Sequence, residues 1–155
     1  FYIAKNNFGK VAVISQTTMS VYGYKKLIDN INKALAGKFV EIPLSMKNLD
    51  EKYGYVDTIC NPTKQRQSGT EEIAKESDIV IVIGGKNSSN SKELYAKCKE
   101  LGVESHFIQS WQQLQKEWFK GKEKIGVTAG ASTPDYLINE VVERIKGIVG
   151  YAHQL

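Results

Sequence analysis

Short β-branched runs alternate along the chain with stretches whose apolar positions recur every three or four residues, and this alternation predicts strands and helices in turn. "VAVI" (Val11 to Ile14) reads as a buried strand. After "SQTTMS", Val21, Tyr24, Leu27, Ile28, Ile31 and Leu35 line one side of a helix that Gly37 stops. "FVEIP" reads as a short strand ending at Pro43, and "LSMKNLDEKYGY", which has no clear period, connects two units with a boundary near residues 44–55. "YVDTIC" is strand-like up to Cys60, with a helix start expected at Thr63. "DIVIVIGG" is a buried strand running into a glycine turn, and Leu94, Cys98 and Leu101 share a face of the helix after it. "SHFIQS" and "KIGVTAG" are the next strands; between them Ser110 and Gln113 fit a capping box on a helix that buries Leu114 and Trp118. Thr133 and Pro134 fit an N-cap and first helical position for a last helix with Leu137, Val141, Ile145 and Ile148 on one side.

Strands alternating with helices of this length imply an α/β fold, mainly parallel sheets with flanking helices. Loops leaving the carboxyl ends of such strands converge on a crevice. Here those loops are "SQTTMS", "ICNPTKQRQ", "GGKNSSNS" and "TAGASTP", all rich in hydroxyls, amides or glycine. Open N–H groups at helix starts, together with Ser and Thr hydroxyls, suit the oxygens of a phosphate or diphosphate. A helix cap needs one such side chain, whereas Asn87, Ser88, Ser89 and Asn90 stand in succession, which favours an anion site over simple capping. The glycines match neither a dinucleotide fingerprint nor a P-loop.

Composition narrows the class. Of the 155 residues 41% are hydrophobic and 25% charged, an ordinary globular balance. No apolar run approaches the length of a membrane span and no signal peptide stands at the start, so neither membrane insertion nor export is expected. The chain opens on Phe1 rather than Met, from which a start further upstream is expected. The net charge of +4 comes from lysines scattered among acidic residues, as in "KESD" and "GKEK", which argues against nucleic acid as a partner. Two cysteines argue against a disulfide framework and for the cytoplasm. Cys98 reads as a core-edge thiol. Neither His106 nor His153 has metal-ligand neighbours at recognised spacing. Cys60, at a strand end beside a helix start, suits either packing or a thiolate; an iron–sulfur cluster needs more thiolates than this chain holds.

Taken together and in this order, "SQTTMS", "DTICNPTKQRQ", "GGKNSSNS" and "GVTAGASTPDYLI" resemble the LytB-type 4-hydroxy-3-methylbut-2-enyl diphosphate reductases. These are the iron–sulfur enzymes that end the non-mevalonate isoprenoid route. The similarity runs from about residue 9 to residue 150 and corresponds to the carboxyl-terminal half of a three-lobed α/β architecture. On that correspondence residues 1–55 close the middle lobe, residues 56–150 form the third lobe, and 151–155 are a tail. The stretch from Thr17 to Cys60 is longer than the family segment, as a local insertion at the lobe junction would make it.

The resemblance implies roles residue by residue. Cys60 matches the last of three cysteines that hold a 4Fe-4S cluster. Thr17 matches a threonine near the substrate's alcohol end. Ser88, Ser89, Asn90 and Ser132 match the diphosphate-binding residues, while Asn87, Thr63 and Gln67 flank them and organise them. The implied reaction is a reductive dehydroxylation giving isopentenyl and dimethylallyl diphosphate, fed by a ferredoxin- or flavodoxin-type electron donor. The family's other two cysteines, its substrate-binding histidines and the glutamate of its His-x-Glu segment have no match here. No catalytic residue is therefore assigned in this chain, and by itself it is expected to lack the cluster and to be inactive. The competing expectation is a non-catalytic α/β module that binds anions or serves as a folding unit.

Overall fold

A computed structural model describes residues 11–42 and 53–152. The chain divides into two compact units, and the break falls between Cys60 and Asn61.

In the first unit β1 (Val11–Ile14), β2 (Val40–Glu41) and β3 (Tyr53–Val56) form a parallel sheet in the order β1-β3-β2. Helix α1 (Val21–Ala34) begins where Ser20 Oγ accepts the Gly23 N–H at 3.0 Å. It ends through two left-handed residues, Ala36 (φ 52°) and Gly37 (φ 77°). Tyr24 and Ile28 of α1 pack with Phe39 and Ile59 into a small core, where Tyr55 lies stacked on Phe39 and edge-on to Tyr24. Pro43 and the aperiodic segment up to Lys52 lie outside the described residues.

The second unit is larger. β4 (Ile79–Ile83) lies between β5 (Glu104–Ile108) and β6 (Ile125–Ala129), parallel to both. Successive side chains of a strand point to opposite faces, and β4 buries both sets. Ile79, Ile81 and Ile83 pack with Val141 and Ile145 of α4 (Asp135–Ala152). Val80 and Val82 pack with Ala74 of α2 (Asn61–Glu76) and with Leu94 and Cys98 of α3 (Ser89–Glu100). A strand apolar on both faces is thus covered from both sides, as parallel sheets require.

Several sequence expectations change at element ends. β3 stops at Val56, four residues short of Cys60. Beyond it side chains replace the ladder: Asp57 Oδ1 accepts the Ile59 N–H at 3.1 Å and Thr58 Oγ1 accepts the Ser15 N–H at 2.9 Å. α2 opens at Asn61, so Thr63 lies in its first turn rather than at its start. Leu101 does not share the buried face of Leu94 and Cys98; it follows α3 as its exposed C-cap. The helix expected after Ser110 is two single 3-10 turns, Trp111–Gln113 and Lys116–Phe119, with extended backbone at Leu114 and Gln115 between them. The Ser110 side chain makes no capping bond, and Gln113 Oε1 accepts instead from the Gln109 N–H. The broken path lets Trp111, Leu114 and Trp118 all reach the core, and Trp118 stacks on His106 with ring centres 3.8 Å apart. Thr133 does not cap α4: its hydroxyl donates to the Ile83 carbonyl, and the Pro134 carbonyl accepts the first helical amides.

Candidate functional site

In the second unit the carboxyl ends of β4 and β6 are joined by two bonds, and a third closes the turn after β6. The Ile83 carbonyl accepts the Gly130 N–H at 3.0 Å and the Thr133 hydroxyl at 3.2 Å, and the Gly130 carbonyl accepts the Thr133 N–H at 2.9 Å, closing the turn that carries Ser132. On the other side of the same peptide, Arg66 Nη1 of α2 donates to the Ala129 carbonyl at 3.0 Å. The Ala129–Gly130 peptide is thereby held at both its oxygen and its N–H.

Helix α3 starts directly against these ends. Ser88 is its N-cap, and Ser88 Oγ accepts from the Ser91 N–H at 3.2 Å and the Ser91 hydroxyl at 2.9 Å. Ser91 is 0% exposed. It fits because its neighbours are glycines: a Cβ on Gly84 would lie 2.1 Å, and one on Gly130 2.0 Å, from Ser91 Oγ. The Gly130 Cβ would also stand 3.6 Å from Ser88 Oγ, so the N-cap and the turn carrying Ser132 are neighbours. Ser89 and Asn90, in the first turn, have N–H groups without an acceptor inside the helix, where the dipole favours negative charge.

Asn90 is the telling side chain. It is 4% exposed, yet among the described residues neither its Nδ2 nor its Oδ1 has a hydrogen-bond partner. A buried amide left in that state costs about 1–3 kcal/mol, which a ligand can offset. Around it Asn87, Ser89 and Ser132 are exposed and Ser88 is half-buried. The structure thus brings Ser88, Ser89 and Asn90 to the turn of Ser132, as a site rich in donors.

In the first unit the structure brings Thr17 and Cys60 together. Ser15 and Thr58 bond through their side chains at 2.9 Å, and one step further the Cys60 N–H donates to the Thr17 carbonyl at 3.1 Å. Thr17 is exposed and Cys60 half-buried. Thr63 and Gln67 lie on α2 of the second unit, in a stripe with Thr70, whose hydroxyl bonds that of Thr128 on β6 at 2.7 Å. Thr63 is fully buried and Gln67 half-buried.

For metal binding the described residues offer little: they contain no group of three or more His, Cys, Asp or Glu side chains close enough to share an ion. Neither cysteine is in a disulfide. Cys98 is fully buried, and that burial pushes its thiol above the ordinary range. Cys60 stands four residues past the end of β3 and is half-buried.

Sequence reasoning missed Ser91, Gly84, Gly130 and Arg66. Their signal was present in the quoted loops, where small residues end two strands beside a helix start, but spacing alone does not show that both glycines face one serine.

The chain matches the family described as LytB protein over residues 2–146. It is 41% identical over 139 residues to the 4-hydroxy-3-methylbut-2-enyl diphosphate reductase of a Nitratiruptor species, covering 90% of this chain and 45% of that protein. It is 40% identical over 137 residues to the enzyme of the same name from Campylobacter lari, covering 88% and 44%. A solved structure of (E)-4-hydroxy-3-methyl-but-2-enyl diphosphate reductase, described as the terminal enzyme of the non-mevalonate pathway, is similar at a TM-score of 0.59 and 37% identity over 90% of this chain and 44% of that one. The reductase from Plasmodium falciparum shares the fold at a TM-score of 0.75 and 23% identity, over 92% and 42%. The chain therefore spans less than half the length of these relatives.

Proposed function

This chain belongs to the LytB family, and from that membership we propose that it serves as the carboxyl-terminal half of a 4-hydroxy-3-methylbut-2-enyl diphosphate reductase with three α/β lobes. The observation that carries the reading is the buried, unpartnered amide of Asn90 beside the Ser88 hydroxyl and the open amides of α3. The Asn90 Nδ2, the Ser88 hydroxyl and the amides at the start of α3 are donors that suit an anion with many oxygens.

On this proposal Ser88, Ser89, Asn90 and Ser132 bind the substrate's diphosphate, and Thr17 lies toward its alcohol end. Asn87, Thr63 and Gln67 support these positions. Contacts at the diphosphate fix the orientation of the allylic alcohol, so that binding energy at one end serves the reaction at the other. Cys60 is one thiolate ligand of a 4Fe-4S cluster whose remaining ligands lie outside this chain, as do the groups that deliver protons. A soluble ferredoxin- or flavodoxin-type protein supplies the electrons.

The test is the gene upstream of Phe1 and its product. The upstream reading frame should encode two further cysteines and a His-x-Glu segment. The full-length product, reconstituted anaerobically with iron and sulfide, should reduce the allylic diphosphate and lose its cluster signal in electron paramagnetic resonance on Cys60→Ser. The 155-residue chain alone should show neither turnover nor a stable cluster. An upstream frame without those cysteines would overturn the reading in favour of a non-catalytic anion-binding module.

A further inference from the structure

We infer that Ser91 is a positioning residue for the diphosphate site: it fixes the Ser88 hydroxyl as an outward hydrogen-bond donor. The inference rests on the reading that Ser88 meets diphosphate.

A serine oxygen has two lone pairs and one proton. At Ser88 both lone pairs are engaged by one residue, through the Ser91 N–H at 3.2 Å and the Ser91 hydroxyl at 2.9 Å. An N-cap needs only the first of these bonds. The second is surplus to capping, and its effect is on the proton: the one remaining bond Ser88 can make is donated by its own O–H. A serine with a single acceptor bond would instead turn its proton among staggered positions and present a lone pair part of the time.

Ser91 is built to keep this role. Fully buried against Gly84 and Gly130, it cannot turn its hydroxyl to solvent. It does not meet the ligand, and so it acts through Ser88 alone. The donor it sets is matched to a ligand whose oxygens carry no hydrogen, such as a phosphate or diphosphate, and mismatched to a hydroxyl that must itself donate. Two residues along the chain from Ser88, the buried side-chain amide of Asn90 has no partner among the described residues and is a second polar group that such a ligand would satisfy.

The test is a titration of inorganic diphosphate into the 155-residue chain, read from the backbone amide resonances of residues 87–90 and 130–133. Ser91→Ala should weaken binding about fivefold, the effect of one well-oriented hydrogen bond. Ser88→Ala should weaken it at least as much, and adding Ser91→Ala to Ser88→Ala should change nothing further, because the residue acts only through the lost hydroxyl. A merely structural Ser91 would weaken binding by the same factor in both backgrounds. That result, or unchanged affinity in Ser91→Ala, overturns the inference. Should Ser91→Ala lose its dispersed amide spectrum, Ser91→Cys, close in size and a weak donor, is subject to the same expectation and the same refutation. Absence of saturable shifts in the unsubstituted chain would instead overturn the diphosphate reading and this inference with it.

Discussion

Tyr24 connects the two strands whose ends carry Thr17 and Cys60. Its hydroxyl donates to the Val56 carbonyl at 2.8 Å, with the Val13 carbonyl at 3.4 Å. Burial first, and the nearby Asp57 carboxylate second, push its pKa from 10.0 up to about 12. The neutral phenol is thus favoured by the fold, and the stability it contributes is whole below pH 10 and lost as pH rises toward about 12. Burial also raises the pKa of Tyr55 above 10.0, so base titration of the fold should show a loss in this window that Tyr24→Phe reduces without abolishing, while at neutral pH Tyr24→Phe should cost about 1 kcal/mol in chemical denaturation. Asp78 works in the opposite sense. Its carboxylate accepts the Lys124 and Glu123 amides at 2.9 Å each, which holds its pKa below the ordinary 3.8. That contribution is present above pH 3.8 and disappears as pH falls through the depressed value, so Asp78→Asn should flatten the acid limb of the stability curve.

At the scale of elements, the approach of α3 to β4 and β6 sets two glycine substitutions apart. A Cβ on Gly130 collides with Ser91 Oγ at 2.0 Å but meets Ser91 Cβ at 3.2 Å; a Cβ on Gly84 collides with both, at 2.1 and 2.5 Å. Gly130→Ala should cost about 1–3 kcal/mol and Ser91→Ala should restore most of it. Gly84→Ala should remain destabilised with Ser91→Ala beside it, as thermal unfolding of the four variants would show. The elements themselves were largely legible beforehand, because β4 is apolar on both faces and α1 and α4 repeat at helical spacing. Their ends were not. Asp57 and Thr58 take over bonds that a ladder would make, and Thr133 spends its hydroxyl on a strand carbonyl 50 residues away, a contact invisible to local spacing. The candidate residues of the anion loops were legible as a surplus of hydroxyls and amides. The serine that organises them was not, since its significance lies in glycines from two other segments.

Over the whole molecule, each unit has its own core: Tyr24, Ile28, Phe39 and Ile59 in one, the β4 isoleucines with Val141 and Ile145 in the other. Separate cores predict separate unfolding transitions in calorimetry. Inorganic diphosphate should raise only the transition of the second unit, by about 1.4 kcal/mol when ligand is tenfold above its Kd. Equal shifts of both transitions, or a single shared one, would show that the two units unfold as one.

The collision between Gly130 and Ser91 also bears on how this sequence can drift. A larger residue at 130 is tolerable only after the hydroxyl at 91 has gone, and without that hydroxyl Ser88 is no longer held as a donor. The order of substitutions is forced, and its first step weakens the anion loop. Selection acting on anion binding would therefore hold in place a glycine at the end of β6 whose own atoms contribute no side-chain bond to the ligand, and would do so for as long as the loop is used.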